Sequence, residues 1–280
     1  MIDLIEGCNY KCYFCEARDV KQFKYLNLDL FKSIVLQAEE LGLTEIHMVP
    51  LKGEPFLHPD IYEMIDFADA HVKNLYIKSN GSAINVPELS RTNRKNLRLG
   101  ISYYGSTVEK FKELTCTNAS QFKIFHRKLA ELKEYNIEHQ IDRRDVDWTF
   151  NYDGIETRPP FNGNKKCLQH QRPIILVDGK VTFCSFIPGI VRDHSAMNFS
   201  DLNTVSLEQA LSNPLRYKFF DSQSICEKYC VDVDEHCHIN PPIQMYKLMT
   251  MSKKQYEQDK ESVDLEYNKF EKIVDLIHKK

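Results

Sequence analysis

Short apolar runs and longer stretches of helical periodicity alternate through the first half of the chain. Met1 to Ile5 reads as a strand ending at the first cysteine. Leu28 to Leu43 carries Leu30, Ile34, Val35, Ala38 and Leu41 at helical spacing. Glu45 to Leu51 reads as a strand, Pro59 to Ala70 as a helix, and Leu75 to Lys78 as a strand stopped by the turn signal Ser79-Asn80-Gly81. Leu97 to Tyr103 is a further strand, Thr107 to Leu114 and Phe122 to Tyr135 are helical, and Ile137 to Val146 is strand-like. Such alternation predicts βαβ units and a parallel sheet. Five units fit before residue 150, too few for an eight-fold barrel, so the expected fold is α/β with an open or partial barrel.

The pattern changes after residue 147. Pro159-Pro160 and Asn162-Gly163-Asn164 mark a loop-rich junction beside the single Trp148. Pro173 to Val177 and Val181 to Phe186 flank Asp178-Gly179, which predicts a β-hairpin. A helix is expected around Ser206 to Ser212. From Pro242 the chain is helical and charged, with Val263, Tyr267, Phe270, Val274 and Ile277 forming a stripe that suits packing on its own domain. The expected organisation is a barrel at 1–150, a small α+β domain at 151–240 and a helical tail at 241–280.

Composition narrows the function classes. The chain has 280 residues, 42% of them hydrophobic and 28% charged, which suits a folded core and excludes wholesale disorder. Lys and Arg number 37 against 40 Asp and Glu, for a net charge of −3, so there is no global electrostatic case for nucleic acid or an anionic membrane. No apolar run reaches a membrane span, and the N-terminus lacks a secretory signal. The expected compartment is the reducing cytoplasm. There the nine cysteines favour metal or cluster ligation over disulfides. Cys116 stands alone and is expected to be a small buried apolar residue.

Cys8-x3-Cys12-x2-Cys15 follows the first predicted strand. Three thiolates on a cubane [4Fe–4S] cluster leave one iron open to a substrate or cofactor. A structural zinc site wants four protein ligands, and no histidine adjoins this triplet.

Together with its neighbours, Cys8-Asn9-Tyr10-Lys11-Cys12-Tyr13-Phe14-Cys15 resembles the signature of the radical S-adenosylmethionine (SAM) enzymes. Lys52-Gly53-Glu54-Pro55-Phe56-Leu57-His58-Pro59 resembles their G-G-E-P-L-L-H-P segment. Lys78-Ser79-Asn80-Gly81 resembles the T-N-G turn, and Gly100-Ile101-Ser102-Tyr103-Tyr104-Gly105 the I-S-L-D-G stretch. The departures are Lys52 for Gly, Ser79 for Thr, and Tyr103-Tyr104 for Leu-Asp. The resemblance implies a partial (β/α)6 barrel in which Cys8, Cys12 and Cys15 ligate the cluster and act as its catalytic residues. It implies Phe14 near the adenine, Gly53, Glu54 and Pro55 at the methionyl amino group, and Asn80 and Ser102 as polar contacts to SAM. It further implies reductive cleavage of SAM to a 5′-deoxyadenosyl radical that abstracts a substrate hydrogen, with the protein orienting the reactants and excluding water.

Cys167-x11-Gly179-x4-Cys184, followed by Cys226-x3-Cys230-x6-Cys237, resembles a shortened SPASM or twitch domain, which implies one auxiliary [4Fe–4S] cluster. Asn198 to Phe220 resembles the linker region of such domains. Cys167, Cys184 and Cys226 are the expected ligands, with Cys230 or Cys237 as the fourth. A four-cysteine zinc site is the competing expectation. Arg143-Arg144-Asp145 falls at the expected barrel mouth, either to bind a carboxylate or phosphate or to form a surface ion pair. His58 reads as a helix-start or packing residue.

The implied activity is an oxidoreductase-type radical SAM enzyme acting on a small metabolite, served by a reductase- or flavodoxin-type electron donor. The expectation rests partly on the seven residues before Cys8, which leave a leader-gripping domain absent or separately encoded. Modification of a peptide, as in peptide natural-product or sulfatase maturation, is the alternative. A non-catalytic zinc or iron–sulfur scaffold or sensor is the alternative from another class.

Overall fold

The computed structural model describes residues 1–92, 94–144, 173–182, 198–222 and 243–278. Two compact units divide the chain: Met1–Glu39 with Thr44–Asp153, and Glu40–Leu43 with Gly154–Lys280. The five C-terminal cysteines, Asp145, Trp148 and the proline-rich junction lie outside the described residues.

The first unit is built on a four-stranded parallel sheet in sequential order: β3 (Glu45–Met48), β4 (Asn74–Ser79), β5 (Leu97–Tyr103) and β6 (His139–Arg143). Right-handed crossovers need helices between parallel strands. These are α2 (Ile61–His71), α3 (Val86–Leu89), α4 (Val108–Thr115) and α5 (Ala119–Glu134), while α1 (Leu28–Glu40) precedes β3. Each helix buries one stripe: Phe31, Ile34 and Val35 on α1, Met64, Ile65 and Ala68 on α2, and Phe125 and Leu132 on α5. Capping fixes two helix starts. Thr107 accepts from the Lys110 N–H, and Asn118 from the Ser120 and Gln121 N–H groups. The α/β class matches the sequence, and among the described residues the sheet stays open.

The first strand differs from its expected form. Only Ile5–Glu6 forms β1, and it pairs antiparallel with β2 (Lys24–Tyr25). The N-terminal segment reaches β3 through the Ile2 N–H to the His47 carbonyl, at 2.8 Å, and through a parallel bridge between Gly7 and Gly53. The two backbones meet there at two glycines. Gly7 sits at φ +130°, and a Cβ on Gly53 would lie 2.0 Å from the Ile5 carbonyl oxygen. That approach, not a regular ladder, joins the segment to the sheet. The β2 strand has no pattern to betray it, because Lys24 and Tyr25 are both exposed.

In the second unit, β7 (Ile174–Ile175) and β8 (Lys180–Thr182) form the expected hairpin around Asp178-Gly179, with Gly179 at φ +83°. A third strand, β9 (Asn198–Asp201), pairs antiparallel with β8 and adds the Lys180–Asp201 ion pair, at 2.9 Å. Then follow α6 (Leu207–Leu211), α7 (Pro214–Ser222), α8 (Ile243–Gln258) and α9 (Lys260–His278). A capping box between Ser206 and Gln209 starts α6. Val263 and Tyr267 of the C-terminal stripe are buried, and Tyr267 meets Phe219 of α7 edge-on. Among the described residues no helix is long and apolar enough to cross a membrane.

Candidate active site

The cysteine loop leaves β1 and is moored to the C-terminal end of α4. Lys11 N–H donates to the Thr115 carbonyl, at 3.1 Å, and Tyr13 N–H to the Leu114 carbonyl, at 3.3 Å. Carbonyls that a helix end leaves unsatisfied thus receive partners from the loop. Tyr10 anchors the middle of the loop. Its ring is buried and packs edge-on against Tyr104 and Phe111, with centroids 5.8 and 5.6 Å away.

Cys116 corrects the sequence reading. It is exposed, not buried, and it ends α4 in the left-handed conformation at φ +50°.

Cys12 is buried, and Cys8 and Cys15 are partly so. Burial pushes the Cys8 thiol up to about 12, and the charges of Glu54 and Cys15 add to the effect. Cys12 lies well above its ordinary value, again mainly through burial, with Cys15 and Cys8 contributing. The three thiols therefore stand within electrostatic reach of one another. Becoming thiolates together requires a compensating cation. Backbone and amide donors already face the sulfurs: Tyr10 N–H at 3.3 Å and Asn80 Nδ2 at 3.5 Å to Cys8, and Ala17 N–H at 3.4 Å to Cys15. Among the described residues no group of three or more His, Cys, Asp or Glu is set to hold one metal ion. A cubane makes a different demand, since each thiolate binds its own iron. Three mutually coupled thiols ringed by N–H donors fit that demand.

Glu54 and Asn80 tie this loop to the sheet. Glu54 is fully buried and accepts three hydrogen bonds: from Ser79 Oγ at 2.7 Å, Asn80 N–H at 2.6 Å and Phe56 N–H at 3.2 Å. Burial raises its carboxyl to about 7 against the pull of those donors. Asn80 Nδ2 donates to Asn9 Oδ1, at 2.9 Å, and Asn80 Oδ1 accepts from the Ser82 N–H and hydroxyl. Asn9 Nδ2 completes the loop with a 2.8 Å bond to Ser82 Oγ. Gly81 turns the chain at φ +80°. Cys8, Glu54 and Asn80 are thus brought together.

Asn9 and Ser82 belong to this hydrogen-bonded network, and the sequence alone did not single them out. Their only signal is adjacency, one to Cys8 and the other to Gly81.

The other expected residues fall around this knot. Gly53 makes the glycine–glycine approach, and Pro55 opens the short 3-10 turn Pro55–Leu57, capped by Glu54. Ser102 is buried on β5 opposite Asp142, and Phe14 meets Tyr13 edge-on. Lys52, which departs from the glycine of the resemblance, supplies its carbonyl to the Gly7 N–H at 2.8 Å and needs no left-handed backbone. His58 is buried; its ring donates to the Leu26 carbonyl and accepts from the Asp60 N–H, a packing role. Arg143 stacks over Tyr103, whereas Arg144 pairs with Asp142 at 2.8 Å.

Known proteins resemble the chain in family and in fold. The family model described as the Radical SAM superfamily matches residues 2–144. A probable GTP 3′,8-cyclase of Thermococcus kodakarensis is 29% identical over 119 residues, covering 41% of this chain and 37% of the relative. The chain thus matches little more than a third of that relative's length. Two solved structures share the fold. BtrN in complex with AdoMet and 2-DOIA has a TM-score of 0.58 at 16% identity, covering 79% of this chain and 84% of that one. The anSMEcpe protein with bound AdoMet and Kp18Cys peptide has a TM-score of 0.56 at 13% identity, covering 96% and 98%.

Proposed function

Because the chain belongs to the radical SAM superfamily, a family that uses a [4Fe–4S] cluster and SAM, we propose that it oxidises a small metabolite by hydrogen abstraction. One observation carries the site assignment: the Cys8 thiol, the Glu54 carboxylate and the Asn80 amide form one bonded network at the C-terminal ends of β3 and β4. Parallel α/β architectures place their chemistry at that end.

Cys8, Cys12 and Cys15 would hold the cluster, and Phe14, Gly53, Glu54, Pro55, Asn80 and Ser102 would hold SAM. When bound, the pair supplies one electron and a 5′-deoxyadenosyl radical. The chain's own part is positional. Asn80 fixes the Cys8 sulfur and the Ser79–Ser82 turn in one frame, and Glu54 locks that turn to the segment after β3. Tyr10 and Tyr104 close the floor of the loop with apolar surface, which excludes water.

The domain at 151–240 would carry an auxiliary cluster on Cys167, Cys184 and Cys226 with Cys230 or Cys237, as acceptor of the second electron. Peptide modification is the second reading, favoured by the peptide-bound structure that shares the fold. Mass spectrometry of the product separates the two. Oxidation yields a small molecule two hydrogens lighter, while the peptide reading yields a cross-linked, epimerised or oxidised peptide. A reconstituted protein that oxidises no small polar metabolite but alters a peptide overturns the first reading.

A further inference from the structure

A parallel sheet is ordinarily buried on both faces and apolar on both. This sheet is apolar on one face only. Ile46, Met48, Leu75, Ile77, Leu99 and Ile101 are buried on it. Side chains alternate along a strand, and the register puts the intervening positions on the other face. Tyr76 and Lys78 on β4 stand opposite Arg98 and Gly100 on β5, and Gly100 and Ser102 stand opposite Gln140 and Asp142 on β6. His47 on β3 continues the row, its ring 5.3 Å from that of Tyr76. A polar face on a parallel sheet needs something polar to cover it.

Besides Glu45 and Arg98 on the same face, three charged groups meet at one point. The Lys78 ammonium and the Arg144 guanidinium both reach the same Asp142 oxygen, Oδ2; the Arg144 contact is 2.8 Å. Lys78 reaches β6 from β4, across β5, where Gly100 has no side chain. The Lys78 and Arg144 side chains are only 18% and 13% exposed. When Lys78 is protonated, these three groups together carry one positive charge. Lys78 also shares its face with Asn80, two residues on and about 7 Å away along the strand. The cluster therefore adjoins the cysteine site without being part of it.

We propose that Lys78 and Arg144, set against Asp142, form a subsite for an anionic group of the substrate, a carboxylate or a phosphate. Calling the bound molecule the substrate rests on the radical SAM reading above. Arg supplies a planar fork that matches either anion, and Lys supplies a point charge beside it. Asp142 holds both cations in place until the ligand arrives. Burial, and next the neighbouring Arg144, lower Lys78 to about 7. An incoming anion reverses that strain between two like charges, and a half-buried setting strengthens the attraction.

The test uses the full chain, anaerobically reconstituted and loaded with SAM, with inorganic phosphate as the probe in isothermal titration. The wild type binds phosphate saturably. Lys78→Met and Arg144→Gln each weaken that binding by about tenfold or more, while Lys78→Arg retains it. Asp142→Asn, which removes the resident carboxylate, binds phosphate at least as tightly as the wild type, a result that a merely structural staple between β4 and β6 would not give. Thermal melting of each variant identifies any that fails to fold. Equal phosphate affinity in folded Lys78→Met and wild type, or no saturable binding in the wild type, overturns the proposal. So does a parallel loss of SAM affinity in both cation variants, which would assign the two cations to the carboxylate of SAM itself. Failure of the underlying reading shows separately, as a wild type that releases no 5′-deoxyadenosine from SAM.

Discussion

Single buried groups set measurable properties of this protein. Asp3 is fully buried, and burial raises its carboxyl to about 8, against the lowering effect of the Leu51 N–H. Below the ordinary carboxylate range, folded and unfolded chains both carry the proton. Between 3.8 and about 8 the unfolded chain has lost it and the folded chain keeps it, so stability falls as pH rises through that window. Asp3→Asn flattens this dependence and stabilises the protein at neutral pH by up to about 4 kcal/mol. Urea melts of wild type and variant from acid to neutral pH check it; parallel curves would contradict it. Asn80→Ala removes the link to Asn9, Cys8 and Ser82, and is expected to cost about 2–3 kcal/mol and to lower iron retention. Chelator-challenge rates read the second effect.

At the scale of elements, backbone approach matters more than side-chain identity. Gly53→Ala puts a Cβ 2.0 Å from a main-chain oxygen, so the N-terminal segment must separate from the sheet. Gly100→Ala puts its Cβ 2.2 Å from the Tyr76 hydroxyl, the far end of a side chain that can swing. Gly53→Ala therefore destabilises more, by several kcal/mol against about 1–3 for Gly100→Ala, and is the one that lowers cluster loading. Equal melting temperatures for the two would contradict this. Ser206→Ala breaks the capping box of α6 and costs about 1 kcal/mol.

The same scale shows what the sequence could and could not reveal. The Asp178-Gly179 hairpin and the helix at 207–211 were legible because turn and cap chemistry are local. The β2 and β9 strands were not, since Lys24–Tyr25 and Asn198–Asp201 carry no alternation and are fixed by their partners. Among candidate site residues, the Cys8, Cys12 and Cys15 triplet stood out by its spacing, whereas Glu54 and Asn80 entered only through the resemblance of their segments to those of a known family. Lys78 was not legible, because its meeting with Asp142 and Arg144 depends on a register across three strands that no local pattern encodes.

The chain comprises two units: one with an α/β sheet that is open among the described residues and whose C-terminal edge carries the cysteine loop, and one with five further cysteines beyond the described residues. If those cysteines hold an auxiliary cluster, anaerobic reconstitution gives roughly eight irons and eight sulfides per chain, and roughly four irons with one zinc contradicts it. The most direct test of the central claim is simpler. The reconstituted protein, SAM and a one-electron reductant are incubated anaerobically, and 5′-deoxyadenosine is measured. The wild type is expected to release 5′-deoxyadenosine and Cys12→Ala none. No 5′-deoxyadenosine from an iron-loaded wild type, or equal yields from the two proteins, would contradict it.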